Sequence, residues 1–391
     1  MKNLTLIFNH FETEHFGKDV FLVPYYLGKI YNLDVTIVYP QTKTNKDFPK
    51  LLRGVNLKPI KNIFSRKPHS GLRILKELVF LFYVIREAKN IDILMRFFLA
   101  DETVLIGAFY KFLNPNGFLY VKADGNLDRL FDNFSIISIK APIKILKRQI
   151  YSFFFKSFNL ITVEREAVYR SLPTTKILGS VIAPRIRLMN SGFDLEQFLQ
   201  YDIGIFNFTE KENLIITVGR LGNRAKNTEL LLDAIKRIDL KEWKIVLIGP
   251  IEKEERDFQK IIDGFFQNNP NFKDNVIFTG PIYDKKELWS WYNRAKIFTL
   301  PSISEGFSIV LGEALQFRNY IIATDVGGAG ELIYKGYGEI IPQENELYLA
   351  KTLQRIINEK NMEKMYDDVD WNSIDNSWEK HIKDAFSDFI K

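Results

Sequence analysis

The sequence predicts an α/β fold built from parallel, doubly wound sheets. Short apolar runs recur along the chain, among them LTLIFN (4–9), DVTIVYP (34–40), NLIITV (213–218) and KIVLIG (244–249). Stretches of helical periodicity separate them, and strands spaced by helices pair in parallel through crossovers. Several runs end in a turn that opens a helix, which is where open α/β sheets bind ligands.

The 391 residues suffice for two domains and a sizeable core. The expected division is 1–195, 196–368 and a tail, 369–391, whose amphipathic pattern predicts a helix folding back on the first domain. There are no cysteines, which excludes disulfides and thiolate metal sites and points to a reduced compartment. His10, His15, His69 and His381 have no metal-ligand spacing. The start, MKNLTLIFNHFE, reads as a strand and not as a signal peptide. The longest apolar run, LVFLFYVI (78–85), is far below the roughly 20 residues of a spanning helix. The expected location is the cytoplasm, or peripheral on the inner face of a membrane.

Charge is unevenly spread. Residues 1–190 carry 29 basic and 15 acidic side chains, a balance of +14, and residues 191–391 carry 25 and 33, a balance of −8, which together make the +6 of the chain. The first half therefore favours an anionic partner, nucleic acid or membrane, and no nucleic-acid motif accompanies the charge.

In the first half, strand 4–9 leads into HFETEHFGKDVF, a loop with Gly17 and Lys18 but no G-x-G-x-x-G, so a dinucleotide fingerprint is absent. Helices are expected at 19–31, 72–88 and 105–113, and strands at 34–40, 89–97, 117–126 and 159–166. Lys122 and Asp124 end their strand and are expected near the crevice; the alternative is a surface residue or a helix cap. Residues 140–158, KAPIKILKRQIYSFFFKSF, interleave Lys140, Lys144, Lys147, Arg148 and Lys156 with Phe153, Phe154, Phe155 and Phe158. A basic helix with an aromatic face reads as an interfacial membrane segment, or as a core-packed helix with a solvated basic edge.

In the second half, IRLMNSGFDLEQF (186–198) reads as strand, turn and a helix capped by Asp194. GRLGNRAKN (219–227) joins strand 213–218 to helix 228–238. Its Gly219, Arg220 and Lys226 combine a glycine and two cations at a helix start, which suits a diphosphate; alone, the loop would read as a solvated basic turn. The chain then alternates through strand 244–249, a helix to about 267, strand 275–283, helix 284–294 and strand KIFTL (296–300). PSISEGFSIVLGE (301–313) follows, with Glu305-Gly306 at the turn, a helix expected from Phe307 and Glu313 two turns on. Gly306 permits close backbone approach and helix-start amides favour an anion or hydroxyls, although a Glu in the first turn is favoured by the dipole alone. Two carboxylates eight residues apart suit the two hydroxyl-bearing ends of a nucleotide-sugar. Strand YIIATD (320–325), the glycine turn VGGAGELI (326–333) and helix 345–358 complete the half.

These pieces, N190-SGFD, VGR with KNTELLLDAI, VLIG, VIFTGPI, SEGFSIVLGEAL and IIATDVGGAGELI, stand in an order that resembles the retaining GT-B glycosyltransferases of glycosyltransferase family 4. The first half resembles their bacterial cell-surface polysaccharide branch more loosely, through GKDVFLVPYYLGK and YKFLNPNGFLYVKADG. The resemblance implies two Rossmann-like domains facing across a cleft, the first for the acceptor and the second for the nucleotide-sugar, with a C-terminal helix returning to the first domain. It implies that Arg220 and Lys226, beside Gly219, hold the donor diphosphate. Glu313 would bind ribose hydroxyls, and Glu305, with the Gly306 and Phe307 amides and the adjoining Ser308, the transferred sugar. The backbone near Pro281 and Ile282 would meet the base. The family's acidic or histidine residue in the first domain has no clear counterpart; Lys122-Ala-Asp124 occupies that region, which makes Asp124 the catalytic candidate and Gly17, Lys18 and Lys122 acceptor-side candidates. Retention is ascribed in this family to front-face transfer, without a protein nucleophile, cofactor or metal. Asp368-Val-Asp370 matches an Asp-x-Asp metal clamp but lies in the acidic tail and reads as chance. The implied function is transfer of a sugar from a nucleotide donor, UDP in preference to GDP, to a glycan acceptor, lipid-linked and met at an anionic membrane, in cell-surface polysaccharide or lipopolysaccharide synthesis. The alternatives are a nucleotide-sugar epimerase or hydrolase of the same architecture, and a non-catalytic basic adaptor.

Overall fold

The computed structural model of the chain describes residues 1–61, 73–123, 152–171, 179–251, 257–333, 338–359, 363, 369–371 and 374–389. They form two units, Met1–Asn190 with Trp378–Lys391, and Ser191–Ser377. The sequence reading put these borders near 195 and 368. The backbone shifts them, because Phe193 already bridges Ser377 and its amide donates to the Asn376 carbonyl at 2.7 Å, tying both ends of the second unit together.

The first unit comprises β1 (Asn3–Ile7), α1 (Asp19–Tyr31), β2 (Asp34–Pro40), β3 (Leu51–Leu52), β4 (Val55–Ile60), α2 (Arg73–Glu87), β5 (Ile93–Phe97), α3 (Asp101–Leu113), β6 (Phe118–Lys122), β7 (Leu160–Val163), α4 (Glu166–Ser171), α5 (Gly179–Ile182) and β8 (Ile186–Leu188). The sheet order is β3-β4-β2-β1-β5-β6-β7-β8, parallel except for β3–β4. That hairpin was not legible in the periodicity; it turns on Arg53 and Gly54, both at positive φ (48° and 82°), the geometry of a two-residue hairpin. Alternation along β1 sends Leu4 and Leu6 into one core and Ile7 into the other. The first core is covered by α1. The second is covered by α2 and α3, which lie against each other.

The expected tail helix is present at Trp378–Phe386. Its Trp378, Ile382, Ala385 and Phe386 form a single buried stripe packed with α1 in the first core. Within the expected basic segment 140–158, residues 140–151 lie outside the described residues. Phe155 and Phe158 do not form an outward aromatic face: both are buried in the second core, where a Cβ on Gly107 of α3 would come within 3.2 Å of the Phe158 ring. Phe153 alone of the four is largely exposed.

The second unit comprises α6 (Leu195–Gln200), β9 (Glu212–Val218), α7 (Thr228–Ile235), β10 (Lys244–Ile248), α8 (Phe258–Asn268), β11 (Val276–Gly280), α9 (Lys285–Arg294), β12 (Ala295–Leu300), α10 (Ile309–Gln316), β13 (Tyr320–Thr324), α11 (Ala329–Ile333), β14 (Gly338–Ile341) and α12 (Glu346–Asn358); the tail helix of the first unit is α13. As expected, Asp194 caps α6, accepting from the Gln197 amide at 3.3 Å. The sheet order is β11-β10-β9-β12-β13-β14 and every pair is parallel. The chain builds outward from β9 to β11 on one side and from β12 to β14 on the other. The loops after β9 and β12 therefore flank the switch point, where a crevice opens at the carboxyl ends of the strands.

Candidate functional site

The loop after β9 is shaped by backbone contacts before any side chain acts. The Gly219 amide donates to the Ile248 carbonyl at 3.0 Å. Gly249, at φ +145°, lies so close that a Cβ there would sit 1.8 Å from the Gly219 carbonyl oxygen, so only glycine fits. Asn227, at φ 50°, then turns the chain into α7. Beyond Gly219, the Lys226 stem crosses the glycine, with Cε 3.2 Å from where a Cβ would stand. A side chain there would push the lysine aside.

The loop after β12 meets the first one through its backbone: the Ile303 amide donates to the Ala225 carbonyl at 2.8 Å. This brings Lys226 Nζ to 2.6 Å from Glu305 Oε1, across 79 residues of sequence. Ser302 Oγ donates to the same Oε1 at 2.6 Å. The loop after β13 closes from the other side. Gly327 (φ +59°) lies where a Cβ would fall 2.5 Å from Glu305 Cβ, and Gly328 (φ +84°) where one would fall 2.5 Å from the Phe307 ring. The helix here starts at Ile309 and not at Phe307, and the Ser308 amide is already taken by the Gly327 carbonyl at 2.9 Å. Ser308 therefore offers no free amide, because the glycine turn occupies it.

Glu313 lies on α10, 3% exposed. Trp289 Nε1 donates to its Oε1 at 3.0 Å and Lys285 Nζ to the same oxygen at 2.5 Å. Burial first, and then this carboxylate, hold the Tyr292 hydroxyl well above the ordinary phenol range. The two acids thus share one pattern: Oε1 is committed to a lysine and one neutral donor. Among the described residues, the lysine, indole and hydroxyl donors placed on the two acids all reach Oε1, and the Tyr292 hydroxyl is the further polar group that faces Glu313. A carboxylate with one oxygen fixed and the other open can accept from a ligand hydroxyl without first rotating.

The remaining candidates are less confined. Arg220 and Gly306 are exposed; Pro281 is exposed and Ile282 half-buried in the segment between β11 and α9. A hollow of about 500 Å³ borders the β9 loop through Asn223, Arg224 and Glu229, but neither Glu305 nor Glu313 lines it.

In the first unit, Lys122 does not reach solvent, contrary to expectation. The end of β6 is roofed by α1 and by the chain after β7, which supply Asp19 (Oδ2, 3.0 Å) and Glu164 (Oε1, 2.6 Å) to its ammonium. Lys122 is thus a buried strut between two carboxylates. Asp124 lies outside the described residues. Gly17 closes a 3₁₀ turn (Thr13–Gly17), and Lys18 stands just before α1, its side chain paired with Glu14 at 3.2 Å. In the same turn, burial holds the His15 imidazole below its ordinary range. Arg96 and Glu77 form a second sealed pair at 3.4 Å. Burial raises the Glu77 carboxyl despite the guanidinium.

Sequence reasoning missed Lys285, Trp289, Ser302, Asp19 and Glu164. Ser302 could have been found three residues before Glu305. Lys285 had one signal, a cation in the first turn of a helix, where the dipole disfavours it.

Residues 202–369 match the family model described as glycosyl transferases group 1. The chain is 27% identical over 324 residues to the amylovoran biosynthesis glycosyltransferase AmsD of Erwinia amylovora, covering 81% of this chain and 82% of that protein. It is 32% identical over 195 residues to a GalNAc-α-(1→4)-GalNAc-α-(1→3)-diNAcBac-PP-undecaprenol α-1,4-N-acetyl-D-galactosaminyltransferase of Campylobacter jejuni, covering 48% of this chain and half of that protein. Among solved structures, Anabaena Alr3699/HepE in complex with UDP superposes with a TM-score of 0.63 at 17% identity, over 99% of this chain and 96% of the other. That likeness concerns the fold.

Proposed function

We propose that the chain, whose residues 202–369 match the group 1 glycosyl transferases and whose fold is that of solved glycosyltransferases, is a glycosyltransferase that transfers a sugar with retention from a UDP-sugar to a lipid-linked glycan in bacterial cell-surface polysaccharide synthesis. The observation that carries this reading is the Lys226–Glu305 contact of 2.6 Å, which joins the loops after β9 and β12. One group suits a diphosphate and the other a sugar hydroxyl, within one nucleotide-sugar's length.

In the proposed step, the bond between the sugar's anomeric carbon and the diphosphate oxygen breaks, and the diphosphate keeps the electron pair. Lys226, held by Glu305 before the reaction begins, and the exposed Arg220 stabilise that growing charge. The acceptor hydroxyl attacks from the same face and passes its proton to the departing diphosphate, so neither a protein nucleophile nor a metal is required. Glu305 Oε2 holds the transferred sugar and Glu313 Oε2 the ribose.

UDP is favoured by the family likeness and by the UDP bound to the Anabaena relative of the fold. The lipid-linked acceptor is favoured by the Campylobacter relative's own acceptor, a diphospho-undecaprenol glycan, and by the first unit's basic balance. An anionic bilayer as the meeting place is supported by a different surface from the one the sequence suggested. Phe82 and Ile85 of α2, and Leu105, Phe109 and Phe112 of α3, are exposed, Phe112 by 81%. Both helices bury their opposite faces in one core. Among the described residues no helix is long and apolar enough to cross a membrane.

A thermal-shift panel of UDP-, GDP- and ADP-sugars tests the donor. Native-state binding raises the melting temperature by mass action, so UDP-sugars are expected to give the largest rise. A larger rise with GDP- or ADP-sugars would reject the base assignment.

A further inference from the structure

Glu313 is almost fully buried, and two donors from α9 converge on one of its oxygens. Trp289 is itself buried and fixed by packing in the core of the second unit. Lys285 is different. It is the first residue of α9, it is a quarter exposed, and its ammonium lies 5.8 Å from the centre of the Trp289 ring. The helix start is held independently of it, since Asp284 accepts from the Glu287 amide at 2.7 Å. A lysine in that first turn opposes the helix dipole, so α9 itself does not explain its presence. Its contact with Glu313 does.

We propose that Lys285 is a positioning residue for donor binding: with Trp289 it occupies Glu313 Oε1 and so presents Oε2 to a hydroxyl of the donor's ribose. The inference rests on the reading that Glu313 meets the nucleoside. A carboxylate held by two donors on one oxygen has a single rotation open to it, so the ligand need not pay for ordering it. Lys285 parallels Lys226, which occupies Glu305 Oε1 in the same way. Each acid of the pair is thus met by a lysine from a different element, the loop after β9 for Glu305 and the start of α9 for Glu313. Because Lys285 lies on the nucleoside side and touches no reacting atom, its removal weakens ground state and transition state alike. Such a loss appears in KM and leaves kcat unchanged.

The experiment compares full-length wild type with Lys285→Met, Lys285→Gln, Lys285→Arg and Glu313→Gln, measuring donor KM, acceptor KM and kcat separately. Lys285→Met is expected to raise donor KM about tenfold or more, with kcat and acceptor KM within roughly twofold, as the loss of a charge-assisted bond predicts. Lys285→Gln, which keeps a neutral donor and folds with less disturbance, should give an intermediate rise, and Lys285→Arg should restore most of the affinity. If Glu313→Gln raises donor KM while neither Lys285→Met nor Lys285→Gln does, the positioning role is overturned and the nucleoside reading stands. If Glu313→Gln leaves donor KM unchanged, the nucleoside reading itself fails and the proposal falls with it.

Discussion

At the carboxyl ends of the first unit's strands, the Lys122 side chain is 1% exposed and its partner Glu164 9%. At the same ends of the second unit's strands, Lys226 is 18% exposed and Glu305 12%. Both sheets are parallel and both place a lysine against a carboxylate at 2.6 Å. The first unit encloses its lysine between two acids, so every charge there is spent within the protein. The second unit gives each acid one lysine and one neutral donor on a single oxygen. The same ion pair is therefore a strut in one place and, on the proposed function, part of a donor site in the other. What decides is whether a loop roofs it.

Glu305→Ala should sharpen this contrast most. It is expected to cut kcat/KM by roughly 10²–10³-fold, the scale of losing one preorganised electrostatic contact, while the melting temperature changes little. A folding defect with normal turnover would erase the distinction between the two pairs. Lys122→Met should do the opposite. It removes the ammonium that Asp19 and Glu164 share and should cost about 3–5 kcal/mol of stability. At a temperature where the variant stays folded, kcat/KM should match wild type; a loss of turnover there would return Lys122 to the acceptor side.

Gly327→Ala tests whether the glycine turn sets Glu305. A Cβ would meet Glu305 Cβ at 2.5 Å on a residue at φ +59°. Donor KM should rise about tenfold, the range of a misplaced binding group, and an unchanged KM would free Glu305 from that loop. Replacing Phe82, Phe109 and Phe112 together by Ser should reduce flotation with anionic liposomes while leaving turnover on a water-soluble acceptor intact. Equal flotation would remove the α2–α3 face from the account.

The smallest effect concerns Lys211, whose ammonium donates to the Asn293 and Ala295 carbonyls at 2.8 and 3.0 Å. Burial, and secondarily the Arg318 charge, push it down to about 7 from 10.5. Between those values the unfolded chain holds the proton and the folded chain has released it, so stability should rise with pH across that window. Lys211→Met should flatten the slope of melting temperature against pH.

The βα alternation was legible because buried strands and amphipathic helices write their periods directly into the sequence. The Glu305–Lys226 loops were legible because glycine, cation and acid recur at strand ends. The β3–β4 hairpin was not, because its strands are too short to show a period. Lys122 was misread because position on a strand end says nothing about what roofs it; Asp19 and Glu164 arrive from elements 103 and 42 residues away. Phe155 and Phe158 left a membrane face and a core face both open, because an aromatic stripe looks the same whether it meets lipid or the protein's own core; both residues are in the core.

Calorimetric titration of a UDP-sugar into wild type and into Lys226→Met/Glu305→Gln tests the central claim most directly. Wild type should bind one molecule per chain, and the double variant, melting normally, should bind at least about tenfold more weakly, the loss of roughly 1.4 kcal/mol. Equal affinity in the two proteins would contradict the account.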